Sequence, residues 1–316
     1  MKKKRKKRKK GKVTKLLEYS AVYMIILFIR AIPLKGIHRV SRFLGYLLYV
    51  FVPKRRTIAL ENLKNAFQGE KTAQEIAQIA RQSFSSFFQT FLEIVRYRNI
   101  YTAPDAREKI KTKAEGIHEL FQKAKKIHDQ SGGCLFVTPH IGNWEMLPYV
   151  SALVGIPLVV VVRALDNEYL ESLLYKNRAA SGQVIVPKKN AFFVLCETLR
   201  RGKSIGMLPD QSTMKGIMVD FFGRHATTTP IPALLSIAYK RPIVVVACCR
   251  KDSESFEGFV CDPIWPGEYT SEKAEIYRLT REMNRTMESI IRKYPDQYLW
   301  MHNRWKTYEG KKEFLT

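Results

Sequence analysis

One grouping in this 316-residue chain has the residue types and spacing for chemistry: Thr138-Pro139-His140-Ile141-Gly142-Asn143-Trp144-Glu145. His140 falls just past an apolar, β-branched run, at what reads as the carboxyl end of a buried strand. Gly142 loosens the turn, and Asn143 is a good N-cap for a helix beginning near Trp144. Glu145 then sits in the first helical turn. Five residues apart on one continuous helix, the two side chains diverge; a loop-to-helix junction can instead fold the carboxylate back onto the imidazole. A carboxylate on one ring nitrogen fixes the tautomer and raises the basicity of the other, which a general base for an alcohol requires. Pro148 complicates the helix by removing an N–H near its start. The plainer reading is a hydrogen-bonded turn histidine, since H-x-x-x-x-E alone arises by chance.

Other motifs fail on context. Gly202-Lys203-Ser204-Ile205-Gly206 matches G-x-S-x-G, but a nucleophile elbow runs strand, serine, helix, and here a helix ends at Arg201 while a strand begins at Ser204. The same Gly-Lys-Ser lacks the Walker glycine, because position 197 is a glutamate. H-E-x-x-H is absent and the five cysteines (134, 196, 248, 249 and 261) make no C-x-x-C, so no metal or cofactor is expected. Reduced, structural cysteines in a cytosol-facing protein fit best. His38, His118, His128, His225 and His302 acquire no role.

The elements that must position His140 alternate in type. Strand-like runs fall at Cys134–Thr138, Pro157–Val162, Gln183–Pro187, Ser204–Leu208 and Pro242–Cys249, with helical patterns near 144–154, 168–180, 190–201 and 228–240. This predicts an α/β fold, a mostly parallel central sheet flanked by helices, with ligands at the carboxyl ends of the strands. Residues 55–99 and 115–129 read as helical, as does a final segment near 271–293. Phe84, Phe87, Phe88 and Phe91 share one helical face, a core stripe in most proteins and a hydrophobic substrate groove in a minority.

The amino terminus is a separate device. Residues 1–12 hold ten basic residues and no acid, so of the net charge of +25 the other 304 residues carry +15. At 46% apolar residues the chain can build a core, which excludes a disordered class. After the tail come two apolar stretches, Leu16–Leu34 and Phe43–Val52, flanked by lysine and arginine on both sides. Glu18 and Arg30 cut the first below the ~20 residues of a span, and basic residues on both flanks defeat the positive-inside rule. Membrane-associated amino-terminal helices lying in the cytoplasmic leaflet are therefore expected, held by anionic lipid. A nucleic-acid-binding tail is the rival reading, but no nucleic-acid signature follows it. The organisation expected is a polybasic tail over 1–12, a membrane-associated segment over 13–54 and a catalytic domain over 55–316.

At this point a resemblance enters. His140-Ile-Gly-Asn-Trp-Glu145 is similar to the signature of the late acyltransferases of lipid A (lipopolysaccharide) biosynthesis, within the wider glycerol-3-phosphate and lysophospholipid acyltransferase superfamily. Arg163-Ala-Leu-Asp-Asn167, Met207-Leu-Pro-Asp-Gln211, Phe221-Phe-Gly-Arg224 with Ala226-Thr-Thr-Thr229, and Pro295-Asp-Gln-Tyr-Leu-Trp-Met-His302 with Arg304 follow in the family's order. The resemblance implies an O-acyltransferase at the cytoplasmic face of a bacterial inner membrane. An acyl chain would pass from acyl carrier protein, as co-substrate, to a hydroxyl of an anionic glycolipid, with His140 as general base and Glu145 orienting it. Arg163 and backbone N–H groups near Gly142 are the candidate oxyanion donors; Arg163 could equally pair with Asp166 or Asp210 as a structural ion pair. Arg224 and Arg304 would bind substrate phosphates or sugar acids, and Asp210 would shape the acceptor site. The alternatives are a lysophospholipid or glycolipid acyltransferase using acyl coenzyme A, and a non-catalytic membrane or nucleic-acid-binding protein.

Overall fold

The computed structural model describes residues 11–101, 105, 108, 117–156, 158–162, 165–179, 184–187, 191–252, 255–308 and 314. The first ten residues of the basic tail and Arg163 lie outside the described residues. The strands are β1 (Leu135–Val137), β2 (Leu158–Val162), β3 (Val184–Pro187), β4 (Ser204–Met207), β5 (Ile217–Phe221), β6 (Arg224–Thr228), β7 (Ile243–Arg250) and β8 (Phe256–Val260). Six of them form one sheet in the order β3-β2-β4-β1-β7-β8, parallel throughout except for the antiparallel β7–β8 pair. The near-continuous valine, isoleucine and leucine runs suit strands covered on both faces. Helix α5 (Ile117–Ser131) leads into β1, and between and after the strands lie α6 (Leu147–Leu153), α7 (Glu168–Ala179), α8 (Ala191–Arg200), α9 (Ile231–Tyr239) and α10 (Glu272–Lys293).

The register of the two central strands sets up the site. In the parallel pair β1–β4, Val137 lies opposite Met207, and the Thr138 N–H donates to Met207 O at 3.0 Å. His140 and Asp210 each follow three residues beyond that matched pair, so both emerge from the same edge of the sheet.

Three details differ from the sequence expectation. The helix expected from Trp144 begins at Leu147, after a turn over residues 144–146, which places Pro148 in the first helical turn. There the missing N–H has no helical partner to lose. Strands β5 and β6 form an antiparallel hairpin outside the main sheet, turned through Phe222 and Gly223 with φ of 53° and 68°. Strand β8 closes the sheet as an antiparallel edge.

Among the described residues four helices precede α5: α1 (Lys12–Ala31), α2 (Leu34–Phe51), α3 (Pro53–Ala66) and α4 (Ala73–Tyr101). Along α2, Ile37, Ser41, Gly45 and Tyr49 are buried at four-residue intervals, one stripe facing α4. Gly45 permits the close approach, since a Cβ there would stand 2.6 Å from the Ser85 backbone nitrogen. Tyr49 meets Phe84 edge-on at 5.4 Å. By contrast, only Ile29 is buried along α1, while Leu17, Met24, Ile25 and Phe28 are exposed. Among the described residues no helix is long and apolar enough to cross a membrane.

A buried ion pair joins these helices to the sheet. Arg250, at the end of β7, donates from Nε to Glu93 Oε1 at 2.9 Å and from Nη2 to Glu93 Oε2 at 2.7 Å, with both side chains at least nine-tenths buried. Ser86 and Thr90, also on α4, accept two further guanidinium N–H groups at 3.1 and 3.0 Å. Glu93 also accepts from Gln89 and Asn143, so the carboxylate is fully satisfied. Removing one member of such a pair strands the other in low dielectric. Glu93→Ala is expected to destabilise the fold by about 3–5 kcal/mol, read as a lower urea midpoint at unchanged slope.

Candidate active site

His140 is held at two points by one carboxylate. Its backbone N–H donates to Asp210 Oδ2 at 2.9 Å, and its ring Nδ1 lies 2.6 Å from Asp210 Oδ1. An ionised carboxylate only accepts, so Nδ1 carries the proton and the lone pair stands on Nε2. Nε2 faces the Gln211 side-chain amide at 3.4 Å, too long for a strong hydrogen bond. That leaves Nε2 without a strong hydrogen bond among the described residues.

The sequence reading put Glu145 on the imidazole; the carboxylate found on Nδ1 is Asp210's. The turn over residues 144–146 leaves Glu145 partly exposed, and it acts on the ring through its charge. Burial alone would lower the proton affinity of His140. The charge of Asp210, its hydrogen bond and the charge of Glu145 outweigh that and raise it above the ordinary histidine value. Asp210 is displaced the other way: burial would raise it, but His140, its N–H and the charge of Arg304 hold it below the usual carboxylate range.

The loop bearing His140 is tied down from three directions. Gly142, at φ +57°, runs so close to β7 that a Cβ would stand 2.1 Å from Cys248 O, which restricts the position to glycine. Its carbonyl accepts from Thr90 Oγ1 at 2.7 Å, while the Asn143 amide reaches Glu93 at 2.8 Å. From the carboxyl-terminal segment, Gln297 O accepts the Gly142 N–H, and the Leu299 N–H donates to His140 O at 3.0 Å. Gln297 in turn brackets Arg250, accepting its N–H at 2.9 Å and donating to its carbonyl at 2.8 Å. These bonds exclude one expectation. The N–H groups of Ile141, Gly142 and Asn143 already donate to Pro139, Gln297 and Cys248 carbonyls, so they are not free to form an oxyanion hole.

The expected arginines part company. Arg304 is buried to 1% exposure, donating to Thr227 O at 2.9 Å and Thr228 Oγ1 at 2.6 Å, with its guanidinium carbon 4.6 Å from the Phe221 ring centroid. It is corrected from a substrate contact to a core residue, because the hairpin β5–β6 and Phe221 enclose it. Arg224 is exposed at the hairpin turn, over the Trp305 ring. Arg163 lies outside the described residues.

Several site residues had no signal in local spacing. Tyr298 is buried against Asp210, and burial with that carboxylate pushes its hydroxyl well up. His302, made more weakly basic by burial, accepts the Ser212 N–H on Nε2 at 3.1 Å and so fixes the segment after Asp210. Trp144 stands edge-on to the imidazole at 5.4 Å and meets Phe91 at 6.1 Å, which continues to Phe87 at 5.0 Å and Phe88 at 5.5 Å from Phe87. Phe84 of the same stripe is core, but the other three form an aromatic wall leading to His140. Among the described residues no group of three or more metal-ligating side chains converges.

A sequence model of bacterial lipid A biosynthesis acyltransferases matches residues 4–307. The chain belongs to that family. It is 26% identical over 268 residues to the lipid A biosynthesis palmitoleoyltransferase of Escherichia coli (strain K12), covering 84% of this chain and 83% of the relative. To the lauroyltransferase of lipid A biosynthesis from the same organism it is 23% identical over 280 residues, 87% of each chain. A more partial match, 24% over 182 residues, covers 56% of this chain and 58% of the phosphatidylinositol mannoside acyltransferase of Mycolicibacterium smegmatis. The family makes this lipid A acyltransferase relative an O-acyltransferase, as the sequence blocks implied.

Asp210→Asn should keep the backbone contact but remove the charge that raises His140. A base works only when neutral, so the acidic limb of kcat/KM should shift to lower pH, while kcat falls by about 10²–10⁴ through loss of the fixed tautomer. A pH–rate profile of both proteins checks the sign.

Proposed function

We propose that the enzyme transfers a fatty acyl chain from acyl carrier protein to a hydroxyl of a lipid A precursor, with His140 as general base. The observation that carries this reading is the His140–Asp210 pair, which leaves an unprotonated Nε2 beside an aromatic wall. Nε2 takes the proton from the acceptor hydroxyl, whose oxygen attacks the thioester carbonyl. The tetrahedral intermediate expels the carrier thiolate, which takes the proton back from the imidazolium, giving an ester and a free thiol. No covalent enzyme intermediate is required, in keeping with cysteines that are buried and pushed up to about 12 at Cys134 and Cys248. The acyl chain would lie along Phe91, Phe87 and Phe88. Gln211, beside Nε2, is placed to donate to the oxyanion, and Arg163 is the second candidate donor. Glu145, through its field, favours the imidazolium formed during transfer.

We further infer that the enzyme works at the inner face of the bacterial inner membrane, with α1 and α2 lying in the bilayer surface. The exposed Leu17, Met24, Ile25 and Phe28 on α1, and Phe43 and Phe51 on α2, form more apolar surface than water tolerates without a purpose. The ten basic residues at the start suit anionic lipid, and the basic body suits an acidic carrier protein. Exposed Arg224 is the remaining described candidate for an acceptor phosphate.

Purified wild type and His140→Ala, assayed with a lipid A precursor and either acyl carrier protein or coenzyme A thioesters, test the reading. Wild type is expected to use the carrier thioester, and the variant to lose about 10³-fold or more in rate with unchanged vesicle sedimentation. Undiminished transfer by the variant would remove the base from His140; use of coenzyme A alone would replace the donor.

A further inference from the structure

A groove of about 480 Å³ opens between α2, α4 and the turn joining β7 to β8, and neither His140, Asp210 nor Glu145 lines it. Its walls carry Arg42 from α2, Arg81 from α4 and Lys251 from the turn, all exposed. Among the described residues no carboxylate forms an ion pair with any of the three; Arg81 rests instead 5.7 Å from the Tyr49 ring centroid. Two acids also reach the groove. Asp252 is committed to its own turn, accepting the N–H of Ser255 at 2.9 Å and the Ser255 hydroxyl. Burial pushes Asp296 above the usual carboxylate range. Three cations outnumber the two acids around one concavity, and none of the three is held in an ion pair among the described residues, so they invite an anion, and guanidinium groups match the oxygens of a phosphate.

The surroundings select a lipid phosphate. Tyr46, one turn beyond Arg42, lines the groove and is 61% exposed, and its neighbour Phe43 is 60% exposed. Val50 and Phe51 extend this apolar surface along α2. We propose that the groove binds the phosphate of an anionic phospholipid between Arg42, Arg81 and Lys251, with the acyl chains lying along the exposed apolar side of α2. This site is distinct from the acyl-transfer site. Its lining, however, includes Gln297, whose carbonyl accepts the Gly142 N–H of the His140 loop, and Arg250, which Gln297 brackets. The occupant thus sits one side chain away from the catalytic loop.

The test is binding of a short-chain phosphatidylglycerol to the full chain in neutral detergent, followed by native mass spectrometry or calorimetry, a readout independent of acyl transfer. Wild type is expected to hold one molecule, and Arg42→Gln/Arg81→Gln to bind it about tenfold more weakly or worse. Arg42→Lys/Arg81→Lys should restore part of the affinity, and Lys64→Gln/Arg285→Gln, an equal loss of exposed charge elsewhere, should leave it unchanged. Wild-type affinity in the glutamine variant, or an equal loss in the control, overturns the site. Inorganic phosphate should fail to displace the lipid at equal concentration; equal displacement overturns the lipid assignment.

Discussion

Everything at the candidate active site depends on keeping one buried carboxylate ionised. Asp210 is 1% exposed, and an unpaired acid there would take up a proton and lose its hold on His140. The chain prevents this with the His140 N–H, the imidazole Nδ1–H and, from behind, the field of Arg304. That requirement explains why Arg304 is buried in the core. Its guanidinium satisfies Thr227 and Thr228 while lending charge to Asp210, and Tyr298 closes the remaining side. A solvent-exposed arginine bound to substrate could not supply a constant field, because water would screen it.

The sheet was readable in advance because its strands are apolar runs of ordinary strand length separated by helical patterns. The five strands expected from the runs lie within two residues of their observed bounds at either end. The hairpin β5–β6 escaped notice because it packs outside the sheet and carries Arg224 and His225 exposed, so its burial follows no simple alternation at its turn end. Strand β8 is an edge, mostly half-buried, and lacks the continuous apolar run of its neighbours. At the site, His140 was legible from its place at a strand end, whereas its partner was not. Asp210 is 70 residues away, and only the β1–β4 register brings it to Nδ1. The one usable sign was positional: each residue lies three beyond a strand end that turned out to be paired. Spacing within a motif favoured Glu145 simply because it is near in sequence. The backbone half of the oxyanion reading failed for a similar reason, since the glycine turn was expected to free its N–H groups, while contacts with Gln297 and Cys248 consume them.

The phenylalanine stripe of α4 divides according to what faces each ring. Phe84 turns toward α2 and joins the core under Tyr49, whereas Phe87, Phe88 and Phe91 lead through Trp144 to the imidazole. One helix face therefore serves both packing and the site, and periodicity alone could not apportion it.

The same helix gives the amino-terminal region a task besides the proposed membrane contact. A tether needs only apolar surface and positive charge, and α1 with the basic tail offers both. Helix α4 has a different task. Its polar side chains Ser86, Thr90 and Glu93 reach inward to Arg250, Asn143 and Gly142, so the helix that α2 packs upon also fixes the loop bearing His140. Gln89 extends the chain outward, approaching His38 of α2 at 2.9 Å. A displacement of α4, on which α2 packs, must therefore break buried hydrogen bonds or carry the His140 loop with it. Because interiors are close-packed and buried polar groups tolerate few vacancies, the second outcome costs less. The surface proposed to meet the bilayer and the histidine proposed to deprotonate the acceptor thus belong to one mechanical unit. Such a unit would set the height of Nε2 above the lipid surface by the same contacts that dock the protein.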